Sequence, residues 1–414
     1  MHTSALTVLS LAFFASIVPV QVSASKAGSS SLSRRFPQPD PAAQAQTAPS
    51  KSKKSARGRR RRSIPAPSIP SSSNNTSIVD SPGTPFVKQR NKRAWANPKP
   101  RRVPVNPKFA KRSTTPSVSY SLVQNHQGGY SFFDDWDWFN YPDPTHGWVN
   151  YNAMQDAWDN GLVYVPEPKR DTAVMRVDSW TNLPYGKYRN SVRISSKQQV
   201  QLGSIVIADI PNIPHGPTVW PAFWMVGNNW PFGGEIDIIE GVHDSVQNQQ
   251  TLHTSPGCTL STPMQASGTI LETTCNAFEN FNVGCGVQDN SKSSYGSGWN
   301  AAGGGVYATT FDETGVSVWN FLRHEIPSDI TAGNPDPSNW GTPKARWDSS
   351  TCDMQKFFGP QNLVFDITLG GDWAGSNFNE FGYSGTWQDY IKKGSNFEQA
   401  FWEVNYVKVF QKDT

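Results

Sequence analysis

Over the last 300 or so residues, apolar and polar positions alternate in short runs, with turn residues arriving every few positions. Side chains on a strand point alternately to its two faces, so this period of two predicts half-buried β-strands. Expected strands are 174–178, 191–194, 204–208, 235–240, 305–310, 316–321, 363–369 and 402–410. Asp312-Glu313-Thr314-Gly315 stands between two of them with the composition of a hairpin loop. WEVNYVKV at 402–409 alternates as an antiparallel strand with one wet face does. No long window carries a 3.6-residue period, and no internal repeat is visible. Many short strands in one chain predict a single all-β domain over 114–414, a two-sheet antiparallel β-sandwich of jelly-roll type.

The N-terminal part reads differently. Residues 1–24 hold no Lys, Arg, Asp or Glu, and their apolar run over 5–20 falls short of the ~20 residues of a membrane span. Val22-Ser23-Ala24 offers small residues for cleavage, so 1–24 is expected to be a signal peptide of a secreted protein. The basic residues follow the apolar run rather than precede it, which leaves an uncleaved anchor as the alternative. From 25 to 113 the chain is Ser/Pro-rich and basic, with 21 of the 37 Lys+Arg and only Asp40 and Asp80 as acids. Subtraction leaves 16 basic and 31 acidic residues in 114–414, so the net charge of +4 divides into about +19 and −15. Such a segment buries too little apolar surface to fold and is expected to be disordered. The Arg59–Arg62 run could address nucleic acid, but behind a signal peptide a pro-segment or wall-binding linker fits better. Asn74 and Asn75 head glycosylation sequons, and the dibasic pair Lys111-Arg112 predicts a mature start near Ser113.

The chemistry concentrates in Gly234-Glu235-Ile236-Asp237-Ile238-Ile239-Glu240-Gly241. Alternation places Glu235 and Asp237 on one face, and a β-bulge at Ile238-Ile239 would return Glu240 to it. Three carboxyls this close cannot all ionise easily, so at least one must hold its proton to higher pH. Retaining glycoside hydrolysis uses such a pair, one carboxylate as nucleophile and one carboxyl as acid/base. A solvated acidic strand or a calcium site would place acids the same way, and the motif alone does not choose.

Its flanks do. WPAFWMVGNNWPFGGEIDIIEGVH at 220–243, then TLHTSPGC, closely resembles the secreted endo-β-1,3(4)-glucanases (laminarinase type) of glycoside hydrolase family 16. DPTHG at 143–147, RNSVR at 189–193, GCGV at 284–287 and GDWAG at 371–375 extend the resemblance in order. The resemblance implies a concanavalin A-like sandwich with the acidic strand in a cleft, Glu235 as nucleophile, Glu240 as acid/base and Asp237 tuning the proton between them. It implies Arg193 and His253 as substrate-side residues. Trp224, Trp230 and Trp373 stand nearest the acidic strand in the motifs, and flat aromatic rings suit the apolar faces of sugars. His146 reads as turn chemistry within DPTHG.

Cys258, Cys275, Cys285 and Cys352 allow two disulfides in three possible pairings, and their spacing does not suit a zinc cluster. Relatives often carry cysteines where this chain has Gly370 and Pro217 or Thr218, so one of their disulfides is expected to be missing. The chain is therefore expected to be a secreted retaining endo-β-glucanase acting on β-1,3 or mixed β-1,3/1,4 glucan. No cofactor or metal is expected, nor a nucleic-acid or membrane partner, and the expected state is a monomer. A cell-wall transglycosylase, a glucan-binding module with an idle site, or a galactan hydrolase are the alternatives.

Overall fold

The computed structural model describes residues 118–168 and 170–413; the expected signal peptide, the basic segment over 25–113 and the expected start near Ser113 lie outside them. Two antiparallel sheets face each other. The first runs in the order Tyr120–Gln127, Tyr406–Lys412, Ser204–Ile210, Gly305–Asp312, Gly315–Leu322, Ala345–Asp348. The second has eight strands: Thr269–Ile270, Val287–Gln288, Gln249–His253, Glu235–Glu240, Val219–Gly227, Gln361–Leu369, Arg193–Ser196, Trp136–Trp138. The two-sheet sandwich read from the alternation is the observed fold, and the acidic strand lies near the middle of the larger sheet.

Alternation assigns each residue to a layer. Along Ser204–Ile210, Val206 and Ala208 face the other sheet, while Ile205 and Ile207 face away, and all are buried. The inner layer joins Phe223, Met225, Ile236, Phe365 and Ile367 of the eight-stranded sheet to Tyr307, Phe311, Val318 and Val409 of the other. Phe223 and Phe365 stack with centroids 4.4 Å apart, at the centre of the strands that carry the site. Burying each such side chain contributes ~1.5–3 kcal/mol. Both faces of the six-stranded sheet are covered, the outer one by Ile330 and Trp340, the latter packed edge-on against the sheet's own Trp319.

Two expectations need correction. Residues 402–410 form not one strand but two, Phe401–Val404 and Tyr406–Lys412, with a break at Asn405. The first joins a small sheet with Ala173–Arg176, the second joins the six-stranded sheet, and Asn405 turns the corner by donating to Asp209 Oδ1 at 2.9 Å. Likewise 191–194 is divided between Arg189–Ser191, paired in parallel with Val149–Tyr151, and Arg193–Ser196. The Asp312–Gly315 loop is the expected hairpin, with Asp312 Oδ1 accepting from the Thr314 N–H at 2.7 Å.

The disulfides are Cys258–Cys352 and Cys275–Cys285, and no cysteine in the described chain is free. The first closes a long loop, the second a short one. Thr218 and Gly370, where relatives often have cysteines, are neighbours, with the Gly370 N–H donating to the Thr218 carbonyl at 2.8 Å. Gly370 has φ +71°, and a Cβ there would stand 2.2 Å from the Trp387 ring. The indole fills the space a side chain would need.

Candidate active site

The acidic strand runs Glu235–Glu240, with the bounds read from the sequence. Asp237 pairs with Trp224 and Ile239 with Phe223, so Ile238 is the extra residue of a bulge. The bulge frees two backbone groups, and the fully buried Asn248 takes both. Its Oδ1 accepts from the Glu240 N–H at 3.0 Å and its Nδ2 donates to the Ile238 carbonyl at 2.8 Å. Unpaired, those groups would cost ~1–3 kcal/mol each. Gly234 opens the strand at φ +74°, where a Cβ would strike Phe358 at 2.3 Å. With the bulge in place, the three acids share the face away from the core, and Ile236, Ile238 and Ile239 are buried.

Each acid has its own surroundings. Trp220 donates its indole N–H to Glu240 Oε1 at 2.8 Å, and the Trp373 ring meets Trp220 edge-on at 5.7 Å. Asp237 is nearly buried and its Oδ2 lies 3.4 Å from His253 Nε2. That nitrogen is also 3.9 Å from Glu235 Oε1. His253 Nδ1 is 2.9 Å from Asn282 Oδ1, which can only accept, so the ring proton sits on Nδ1 and Nε2 offers a lone pair to Asp237. Arg193 lies between the rings of Phe139 and Trp224, 4.6 and 5.0 Å from their centroids, and 3.9 Å from Asp366 Oδ2.

Burial dominates the electrostatics. It raises Glu235 to about 7, against the Arg193 charge and the Trp230 indole, which favour ionisation. Glu240 is also raised to about 7, burial outweighing the Trp220 hydrogen bond and His253, with the Glu235 charge adding to the rise. Asp237 is raised well above the carboxylate range by burial, then by Glu235, Glu240 and Asp366. Burial lowers His253, which favours its neutral ring. Asp366 itself is lifted to about 7 by burial, against Arg193.

The sequence-derived residues thus fall into place around one strand. Glu235, Asp237, Glu240, His253, Arg193 and Trp224 converge directly; Trp373 reaches the site through Trp220, and Trp230 is 44 % exposed at its rim. His146 stands apart, exposed in a left-handed turn and 2.9 Å from Asp372 Oδ2. Four further residues of the site, Trp220, Asp366, Asn248 and Asn282, are not among those the sequence motifs single out. Two carried a signal: Trp220 shares the strand face of Trp224 by alternation, and Asp366 is the lone acid in the apolar run 363–369. Glu235, Asp237 and His253 also hold ligand atoms within 4.8 Å of one another, a spacing that a divalent cation could bridge.

A family model described as XgeA-like, catalytic GH16 domain matches residues 136–410. A probable glycosidase of Schizosaccharomyces pombe is 40% identical over 298 residues, covering 71% of this chain and 70% of that one. A probable endo-1,3(4)-β-glucanase of Aspergillus fumigatus is 40% identical over 71% of this chain, but the match spans only 46% of that longer protein. Laminarinase 16A of Phanerochaete chrysosporium, solved with β-glucans in its donor and acceptor sites, is 37% identical with a TM-score of 0.68, over 71% of this chain and all of that one. An elongating family 16 β-1,3-glucosyltransferase is 38% identical with a TM-score of 0.66, again over 71% and 100%. The chain belongs to glycoside hydrolase family 16 and is a glycoside hydrolase.

Proposed function

We propose that the protein is a secreted, retaining endo-β-glucanase that hydrolyses β-1,3 or mixed β-1,3/1,4 glucan by double displacement. The observation that carries this reading is the single strand face on which Glu235 and Glu240 flank the buried Asp237. Both glutamates titrate near 7, so one can be ionised while the other holds a proton. The Arg193 charge favours an ionised Glu235, and that negative charge in turn keeps the proton on Glu240. Glu235 attacks the anomeric carbon as Glu240 protonates the departing glycosidic oxygen, giving a glycosyl-enzyme. Glu240, now ionised, takes a proton from water, which hydrolyses the intermediate with overall retention. Asp237, whose buried Oδ2 lies 3.4 Å from His253 Nε2 without a hydrogen-bond partner, is pushed towards its neutral form by burial and by the neighbouring carboxylates, which limits the charge it sets against Glu235. The relatives named as endo-1,3(4)-β-glucanases support the substrate class, and the two disulfides suit an extracellular setting.

Transfer to a second glucan is the competing reading, because a family 16 glucosyltransferase is 38% identical to this chain. The two reactions share their first half. Incubation with laminarin, barley mixed-linkage glucan, cellulose and agarose, with sizing of the products, decides between them. Short β-1,3 or mixed-linkage oligosaccharides alone support hydrolysis; chains longer than the substrate indicate transfer; release from agarose only overturns the glucan assignment.

A further inference from the structure

Three residues beyond Glu240 the chain reaches His243, a fully buried imidazole whose backbone lies in the left-handed region at φ +59°. Its Nδ1 accepts the Thr218 N–H at 2.9 Å, and its Nε2 lies 2.9 Å from Asn377 Oδ1. The Asn377 oxygen requires a donor, so Nε2 carries the proton and Nδ1 the lone pair. Its own N–H donates to the Val219 carbonyl at 2.8 Å, and its carbonyl accepts from Gly216 at 3.0 Å. Thr218, facing it, is a second non-glycine residue in the left-handed region, at φ +72°. Unfavourable backbone conformations side by side persist where the surroundings hold them for a purpose.

The partners of His243 lead back to the site. Thr218 is two residues from Trp220, the donor to Glu240 Oε1. The Asn377 N–H donates to the Trp373 carbonyl at 3.3 Å, and the Trp373 ring packs edge-on against Trp220. Two closed circuits share two vertices, His243 and Trp220: Glu240, His243, Thr218, Trp220; and His243, Asn377, Trp373, Trp220. We infer that His243 is a positioning residue for the reaction, holding Trp220 against Glu240 through Thr218 and Trp373 against Trp220 through Asn377. The inference rests on Glu240 as acid/base and Trp373 as a substrate contact. Phe381, Tyr383 and Phe378 enclose the ring at 4.5, 5.3 and 5.9 Å, and this burial keeps it neutral. Neutrality is a requirement, since an N–H on Nδ1 would oppose that of Thr218.

The two arms can be cut separately in the full chain. An Asn side-chain oxygen approximates Nδ1, so His243→Asn keeps the Thr218 acceptor and loses the Asn377 donor. A Gln side-chain nitrogen approximates Nε2, so His243→Gln does the reverse. Losing one such hydrogen bond is expected to raise KM by about threefold to tenfold in His243→Asn, with the alkaline limb of kcat/KM unmoved. In His243→Gln, KM holds and the alkaline limb moves up by about half to one pH unit, because Glu240 loses a donor that favours its ionised form. Trp220→Phe removes that donor directly and is the reference. If Trp220→Phe moves the limb and His243→Gln does not, the Thr218 arm is overturned. If Trp220→Phe leaves it unmoved, the acid/base assignment of Glu240 fails instead, and the KM arm still decides the role of His243. Equal KM in both variants and wild type overturns the Asn377 arm. Should a His243 variant not fold, Asn377→Ala carries that arm: raised KM with an unmoved limb supports it, and an unaltered KM overturns it.

Discussion

The two sheets of this sandwich are built by the same alternation, yet their outer faces have opposite fates. On the six-stranded sheet, Ile205, Ile207, Val306, Trp319 and Phe410 point outward and are sealed by Ile330 and Trp340. On the eight-stranded sheet the corresponding positions are Glu235, Asp237, Asp366 and Arg193, held among Trp220, Trp224 and His253. One face gives up water for aromatic packing and gains stability. The other takes carboxyls out of water without pairing each to a cation, and their raised pKa values measure that cost. The difference teaches that the fold is secured by the inner layer and the sealed face, leaving the other face free to hold charges where chemistry needs them.

The largest expected effect tests the sealed face. Trp340 is buried edge-on against Trp319 and donates to Asp329 Oδ2 at 2.7 Å. Trp340→Ala should cost about 3–5 kcal/mol, read by denaturant unfolding, while kcat per folded molecule stays at the wild-type value. A loss of kcat with intact stability would show that the two faces are coupled after all.

The acidic face should respond in the opposite sense. A carboxyl whose pKa is higher folded than unfolded stabilises the fold fully below its unfolded value, and that stability is lost as pH rises through the folded value. Glu235 and Glu240, lifted from 4.5 to about 7, and Asp366, lifted from 3.8 to about 7, place this loss between about pH 4 and 7. Tm should therefore be higher at pH 5 than at pH 7.5, by a few degrees. Asp237→Asn removes the most strongly raised carboxyl, so it should raise Tm at pH 7.5 and flatten this slope while slowing turnover. A lower Tm with an unchanged slope would mean that Asp237 is an ordinary structural residue.

The acidic strand was legible from its residues because bulge, bounds and shared face all follow from where the acids and isoleucines stand. The hairpin at Asp312–Gly315 was legible for the same reason, as its turn chemistry is local. Val219–Gly227 was not recognised as a strand, because Pro221 in its middle reads as an interruption. Pro221 pairs with Ile367 on one side, but on the other it lies past the end of the acidic strand, whose last pair is Glu240 with Ala222. The break at Asn405 shows in the sequence only as a slip of phase, with Trp402 and Val404 buried before it and Val407 and Val409 after it. That slip does not say which sheet each half joins. Asn248 and Asn282 could not be found at all, since their roles depend on a bulge and a loop brought close only by folding.

A smaller effect is expected at the rim. Trp230 is 44 % exposed, and its indole favours the ionised form of Glu235. Trp230→Ala should raise KM for glucan several-fold and shift Tm little, far less than the ~3–5 kcal/mol of a core Trp. A large fall in Tm with unaltered KM would place Trp230 with the packed face.

The division of labour between Glu235 and Glu240 is tested most directly by azide rescue. Glu240→Ala keeps the nucleophile but lacks acid assistance, so an activated aryl β-glucoside of suitable length should still form the glycosyl-enzyme. Azide, which needs no general base, should then restore turnover and give a β-glycosyl azide, identified by proton NMR. Glu235→Ala cannot form the intermediate, and any azide adduct there should be α. A β azide from Glu235→Ala and none from Glu240→Ala would reverse the assignment, and an α sugar as the first wild-type product would contradict the retaining mechanism itself.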